Sequence, residues 1–223
     1  MKNTRYKIQY YIGVPDLFSI INASLGFLSI IMILKGGLAV ACQFMLLAII
    51  FDSIDGWIAR RIKRRDDEGF GKNVDSLSDI ISFGVAPALL IYSITSFRYI
   101  NILVSLLIVT CGILRLSRFN VITDIKSDKF IGLPIPVMAA IVSSIYLSSI
   151  FNEHTILLIV TLTSLIMISS IEYPKIKAKN GAIVVILLIL TILKLKIFAM
   201  ILFLMLIAYI AIPFILIIKR DTK

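Results

Sequence analysis

Charge is scarce in this 223-residue chain: only 16% of its residues are charged and 59% are hydrophobic. Soluble domains run to about 25% charged and about 45–50% apolar residues. A water-soluble fold is therefore excluded, and the polar stretches are too short for a separate soluble domain. Cysteine is nearly absent. Cys42 and Cys111 both fall inside apolar runs, which leaves no disulfide framework or zinc spacing and reads as small core residues. The single histidine, His154, sits in the turn FNEH and reads as solvated. Acidic residues number 13 against 23 basic ones, for a net charge of +10. The bases are scattered between apolar runs and build no basic domain, so the charge does not indicate nucleic-acid binding. The start, MKNTRYKIQYY, has no apolar run before Ile12. It does not read as a cleavable signal peptide; residues 1–13 read as a basic, aromatic segment lying on the membrane surface.

What the chain has is long apolar runs. A helix needs roughly 20 such residues to cross the hydrocarbon. Candidate spans fall at about 14–35, 37–59, 75–97, 99–118, 131–151, 155–172, 181–195 and 197–218. The expected fold is an all-α, polytopic transmembrane bundle of about eight spans in a single domain. The seventh span is the shortest. With the N-terminus in the cytoplasm, only Lys35, Arg98, Lys194 and Lys196 fall outside, and the other 19 of the 23 basic residues fall inside. That bias favours eight spans with both termini cytoplasmic. Pro87 and Gly112 are expected to interrupt their helices. FIGLPIP, with Gly132, Pro134 and Pro136, predicts an irregular or extended lead into the fifth helix, because two prolines so close cannot both keep helical hydrogen bonds.

Against this apolar background the acids stand out. Asp52 and Asp55 are three apart, and Asp75 and Asp79 are four apart, so each pair shares a helix face. Carboxylates at membrane depth are costly unless paired, hydrated or bound to a cation. Both pairs fall at the cytoplasmic ends of the second and third helices, and together they predict a divalent-metal site. Gly56 and Ala59 continue the first face as small residues that leave room for a ligand, Arg60 follows, and Gly71 precedes the second pair. Hard cations such as Mg²⁺ take oxygen ligands and share them with substrate phosphates. Asp66, Asp67 and Glu68 read as a solvated loop, and Lys126, Asp128 and Lys129 as loop charges.

The stretch from Asp52 to Asp79, with an Asp pair, Gly56, Ala59-Arg60, a spacer, Gly71 and a second Asp pair, resembles the signature of the CDP-alcohol phosphotransferases. Ten residues lie between Arg60 and Gly71, more than the family usually has, and the excess falls in the charged turn RRIKRRDDEGF. The first helix is similar as well, with Asp16 where an Asn is common. RLSRFNV, FIGLPIP and SFGVAPALL resemble the branch that makes phosphatidylserine. These similarities cover about residues 14–145, the expected catalytic region, with residues 146–223 as additional membrane helices on a six-helix family core.

The resemblance implies a mechanism. Asp52, Asp55 and Asp75 bind Mg²⁺ or Mn²⁺, and Asp79 is a further ligand or the general base. Asp55, Gly56, Ala59, Arg60 and Gly71 hold the CDP moiety. CDP-diacylglycerol, or CDP-archaeol with ether-linked tails, donates its phosphatidyl group to the hydroxyl of L-serine, and CMP leaves. A serine carboxylate calls for a guanidinium fork; Arg118 is expected to supply it first, then Arg115, with Asn120 beside them. The resemblance also implies a homodimer in the cell membrane with its site facing the cytoplasm. Glycerol 3-phosphate or inositol phosphate as acceptor would need a stronger basic pocket. A cation transporter would spread its acids across the bilayer depth, and a scaffold gives no reason for their spacing.

Overall fold

A computed structural model describes residues 7–59, 61, 69–96, 99–122, 129–174, 178–193 and 196–221. Arg60, Asp66, Asp67, Glu68, Lys126 and Asp128 lie outside the described residues, as do residues 1–6 of the basic start. After a short 3-10 turn at Ile8–Tyr10, the described residues form eight successive longer helices: α1 (Val14–Leu34), α2 (Leu38–Ala59), α3 (Phe70–Ile94), α4 (Ile100–Ile122), α5 (Ile135–Ser148), α6 (Glu153–Ile168), α7 (Ala178–Ile192) and α8 (Lys196–Asp221). Five of them, α1 to α4 and α8, are long and apolar enough to cross a membrane, whereas α5, α6 and α7 are shorter apolar helices. The all-α polytopic architecture expected from composition is the architecture found.

Apolar side chains point two ways. Met45, Leu46, Phe83, Leu90, Ile108, Met138 and Ile141 are fully buried between helices, while Leu103, Leu158, Ile183 and Leu204 stand mostly exposed on the outside. Lipid tails are as apolar as leucine, so these outward faces suit a bilayer. α1 and α2 pack along each other as an antiparallel hairpin. The turn uses Gly36 at φ 78°, a left-handed conformation that glycine reaches without a Cβ penalty. The hairpin returns the end of α2 to the start of α1, and this is what brings the polar ends of both helices together.

Three departures from expectation affect the site. α3 begins at Phe70 behind Gly69, a left-handed N-cap at φ 83°, so it starts earlier than the span near residue 75 and takes Gly71 into its first turn. Within α3, Ile80–Val85 winds as a π-helix directly after Asp79. A π segment shifts the helical register and often marks a functional site. Pro87 follows it at the resumption of ordinary helix, where its missing N–H costs least. The expected interruptions at Pro87 and Gly112 do not occur, because α3 and α4 run through them. Gly112 instead keeps α4 close to its neighbours, since a Cβ there would meet Ile135 and Ile80 at 3.0 and 3.1 Å.

The lead into α5 is extended, as the prolines require. β1 (Lys129–Ile131) pairs antiparallel with β2 (Glu172–Pro174), with Phe130 opposite Tyr173. Gly132 follows at φ 76°, and Pro134 is extended at φ −60°, ψ 138°. Strands of three residues are too short to show an alternating pattern, so nothing in the sequence foretold this small sheet.

Candidate active site

Each aspartate pair sits on one face of its helix, and the two helices present those faces to each other. Carboxylate oxygens of Asp52, Asp55 and Asp75 all lie within 4.8 Å of one another. This donor set is entirely oxygen and anionic, the chemistry that hard divalent cations select. Asp79 lies one turn beyond Asp75 and is 5% exposed. It lies beside Asp52 and within electrostatic reach of Asp75 and Arg115.

α1 supplies a polar line to the same place. Asp16, Ser19 and Asn22, spaced by three, are all buried. Asp16 Oδ2 accepts a 2.6 Å hydrogen bond from the Gly13 N–H and closes the start of the helix. Ser19 Oγ donates to Asp55 Oδ2 at 2.7 Å, and Asn22 Nδ2 donates to Asp79 Oδ1 at 3.1 Å. These bonds hold one acid from each pair. Ser82, inside the π segment, donates from Oγ to the Asn22 carbonyl at 2.8 Å. Gly26 permits this approach: a Cβ there would lie 2.3 Å from Ser82 Oγ and 2.7 Å from Ser82 Cα.

Beside the acids opens a cavity of about 270 Å³. Its lining joins Asp55 and Asp75 with the small residues Gly56, Ala59 and Gly71, and with Ser19 and Lys72. Thus the structure brings Asp55, Gly56, Ala59 and Gly71 to one cavity, while Arg60 lies outside the described residues. Lys72 donates from Nζ to the Asn120 carbonyl at the end of α4.

The three residues expected at the acceptor side part company. Arg115 is 6% exposed and within electrostatic reach of Asp79, Asp52, Arg118 and Asp75. Its guanidinium lies 5.2 Å from the Phe119 ring centre, and its Nε has no hydrogen-bond partner. Arg118 has a different occupation. Its Nη1 donates to the Ile168 carbonyl at 2.8 Å, and its Nη2 to the Ile131 and Met167 carbonyls at 3.1 and 3.2 Å. It therefore closes the C-terminal end of α6 and holds β1. Gly132 fits against this clamp, since a Cβ there would lie 2.2 Å from the Met167 oxygen and 2.4 Å from Arg118 Nη2. Asn120 Nδ2 donates to Ser76 Oγ at 2.8 Å, joining α4 to α3, and its buried Oδ1 has no partner. Arg115 is thus tied electrostatically to the acids, whereas Arg118 is bound to main-chain carbonyls.

Sequence reasoning missed Ser19 and Lys72. Ser19 had a usable signal, a hydroxyl three residues from both Asp16 and Asn22 in an otherwise apolar span. Lys72 entered only the charge balance, because nothing in sequence separates a cavity lysine from a loop lysine.

The fold and site together define an integral membrane protein whose acidic cluster flanks a cavity between helices. Comparison with known proteins narrows this. Residues 12–166 match the model of the CDP-alcohol phosphatidyltransferase family, and the chain belongs to that family. The matched stretch runs from just before α1 to nearly the end of α6. The chain is 56% identical over 177 residues to the archaetidylserine synthase of Methanothermobacter thermautotrophicus, covering 79% of this chain and 76% of that protein. It is 37% identical over 172 residues to the CDP-diacylglycerol–serine O-phosphatidyltransferase of Methanocaldococcus jannaschii, covering 76% and 78%. It is 34% identical over 166 residues to the protein of that name in Bacillus subtilis, covering 74% and 91%.

Proposed function

We propose that this protein transfers the phosphatidyl group of a CDP-linked lipid to the hydroxyl of L-serine, releasing CMP. The observation that carries the reading is the meeting of Asp52, Asp55 and Asp75 beside a cavity walled by Gly56, Ala59 and Gly71, in a chain similar to enzymes named for that transfer.

The three clustered carboxylates would hold Mg²⁺ or Mn²⁺, and their all-oxygen donor set suits either ion. Bound there, a divalent cation supplies charge to offset the diphosphate and the departing CMP. Asp79 is the general base, held by Asn22 on one side and lying beside Asp52 on the other. The serine hydroxyl oxygen forms a bond to the lipid-bearing phosphorus. The bond from that phosphorus to CMP breaks, its electron pair leaves on CMP, and the hydroxyl proton passes to Asp79. Such phosphoryl transfer depends mainly on positioning and charge stabilisation. Asp55, Gly56, Ala59 and Gly71 seat the nucleotide, with Arg60 helping to hold its phosphates. Arg115 is the guanidinium for the serine carboxylate, while Arg118 and Asn120 fix the end of α4 that carries it.

Catalysis belongs to residues 14–145 of a single domain, behind an interfacial segment at 1–13 and ahead of further membrane helices at 146–223. The basic bias supports a cytoplasmic site with both termini inside, and the family resemblance supports a homodimer. Similarity to an archaetidylserine synthase favours CDP-archaeol as a second donor beside CDP-diacylglycerol. One assay tests the whole reading. Purified protein with Mn²⁺, either CDP-lipid and a panel of alcohols should release CMP with L-serine and form the serine phospholipid. CMP release driven by glycerol 3-phosphate or inositol phosphate instead would overturn the acceptor assignment.

A further inference from the structure

We infer that Lys72 is a binding residue for the diphosphate of the nucleotide lipid, an inference that rests on the proposed function and assigns a cation to its cavity. Lys72 lines the cavity together with Asp55 and Asp75 and with the small residues Gly56, Ala59 and Gly71. A diphosphate in that space would pass close to two carboxylates, and a cation in the wall offsets the repulsion. Lys72 supplies that charge where the small residues leave room for the ligand.

Its placement is locally unfavourable, which argues for a task beyond the helix. Lys72 is the third residue of α3, in the first turn, where the helix dipole disfavours a cation. Local rules are broken most often at functional sites. The ammonium is also fixed rather than loose. Nζ donates to the Asn120 carbonyl at the C-terminal end of α4, the end where the dipole favours positive charge. An ammonium carries three donors; Asn120 takes one, and the cavity side can use the others. Asn120 Nδ2 also bonds Ser76 Oγ, one turn along α3 from Lys72, so Asn120 grips both positions.

The two anions that could meet Lys72 are the diphosphate and the serine carboxylate, and the wall of Gly56, Ala59 and Gly71 favours the diphosphate. The experiment separates them. Calorimetric titration of CDP into the full-length Mn²⁺-loaded protein without serine, wild type against Lys72→Gln, should show CDP affinity falling about tenfold or more, the loss expected of one charge-assisted contact. In steady state, Lys72→Gln should raise the KM for the CDP-lipid and leave the serine KM within about twofold. Lys72→Arg, which keeps the charge, should retain most of the CDP affinity. Unchanged CDP binding in Lys72→Gln overturns the inference, as does a rise confined to the serine KM. Should the glutamine variant not fold, Lys72→Met is read by the same titration. Failure of the wild type itself to bind CDP would instead overturn the proposed function.

Discussion

Asp79, held by Asn22 and beside Asp52, is the proposed general base. Asp79→Asn keeps size and the Asn22 contact but removes the base. Turnover should fall by about 10²-fold or more, with the melting temperature unchanged or raised, since a buried carboxylate is lost. Near-normal turnover in a folded variant would remove the role. Asp75→Asn acts differently: it should abolish the rise in melting temperature that Mn²⁺ gives the wild type, because binding only the folded state stabilises it. A full Mn²⁺ response in that variant would place the ion elsewhere. Spacing alone made all four aspartates legible. The separate role of Asp79 came from the family resemblance and not from spacing, because spacing fixes only which acids share a helix face.

Between helices, two glycines decide how closely the backbone can pack. Gly26→Ala would press a methyl onto Ser82, backbone included, and push α1 from the π segment. A loss of about 1–3 kcal/mol is expected from such overpacking, read as a lower melting temperature. Activity should fall too, because Asn22 and Ser19 move with α1. Gly132→Ala combines a left-handed φ of 76° with a collision at the Met167 carbonyl. Arg118→Ala leaves three main-chain carbonyls without their donor. If Arg118 is a clamp, its loss should lower thermal stability and affect the KM of both substrates alike. A selective rise in the serine KM with unchanged stability would restore it to the acceptor pocket. RLSRF and FIGLPIP were readable as related motifs, but what joins them is Arg118 lying on Gly132 and the end of α6, a contact across distant sequence.

Taken whole, the molecule gathers its buried charged side chains, among the described residues, at one end of an apolar bundle. Asp16, Ser19, Asn22, Asp55, Asp79 and Arg115 are all buried there, whereas outward faces are leucine and isoleucine. The proposed topology follows from the basic bias. A C-terminal fluorescent-protein fusion should fluoresce, and an alkaline phosphatase fusion at the same point should be inactive. The reverse pattern would overturn the cytoplasmic orientation. Helices α7 and α8 lie beyond the matched family stretch of 12–166. Even so, α8 reaches back to β2: the Tyr173 hydroxyl donates to the Ile210 carbonyl at 3.4 Å, and the Tyr209 hydroxyl to the Pro174 carbonyl at 3.2 Å. Eight helices and their order were readable because apolar run length is a local property. The small sheet was not, because its pairing joins residues some forty apart.

Amino-acid order by itself determined that the chain is a helical membrane protein, that acids recur at one helical turn, and that glycine and alanine leave space beside them. Each of these is a matter of composition or of spacing along one helix. Only the tertiary structure decided that acids from two helices converge, that Asn22 holds Asp79, that Arg118 clamps backbone, and that Lys72 lines the cavity. The reason is geometric. A helix fixes which residues share a face, but the packing of neighbouring helices fixes what that face meets.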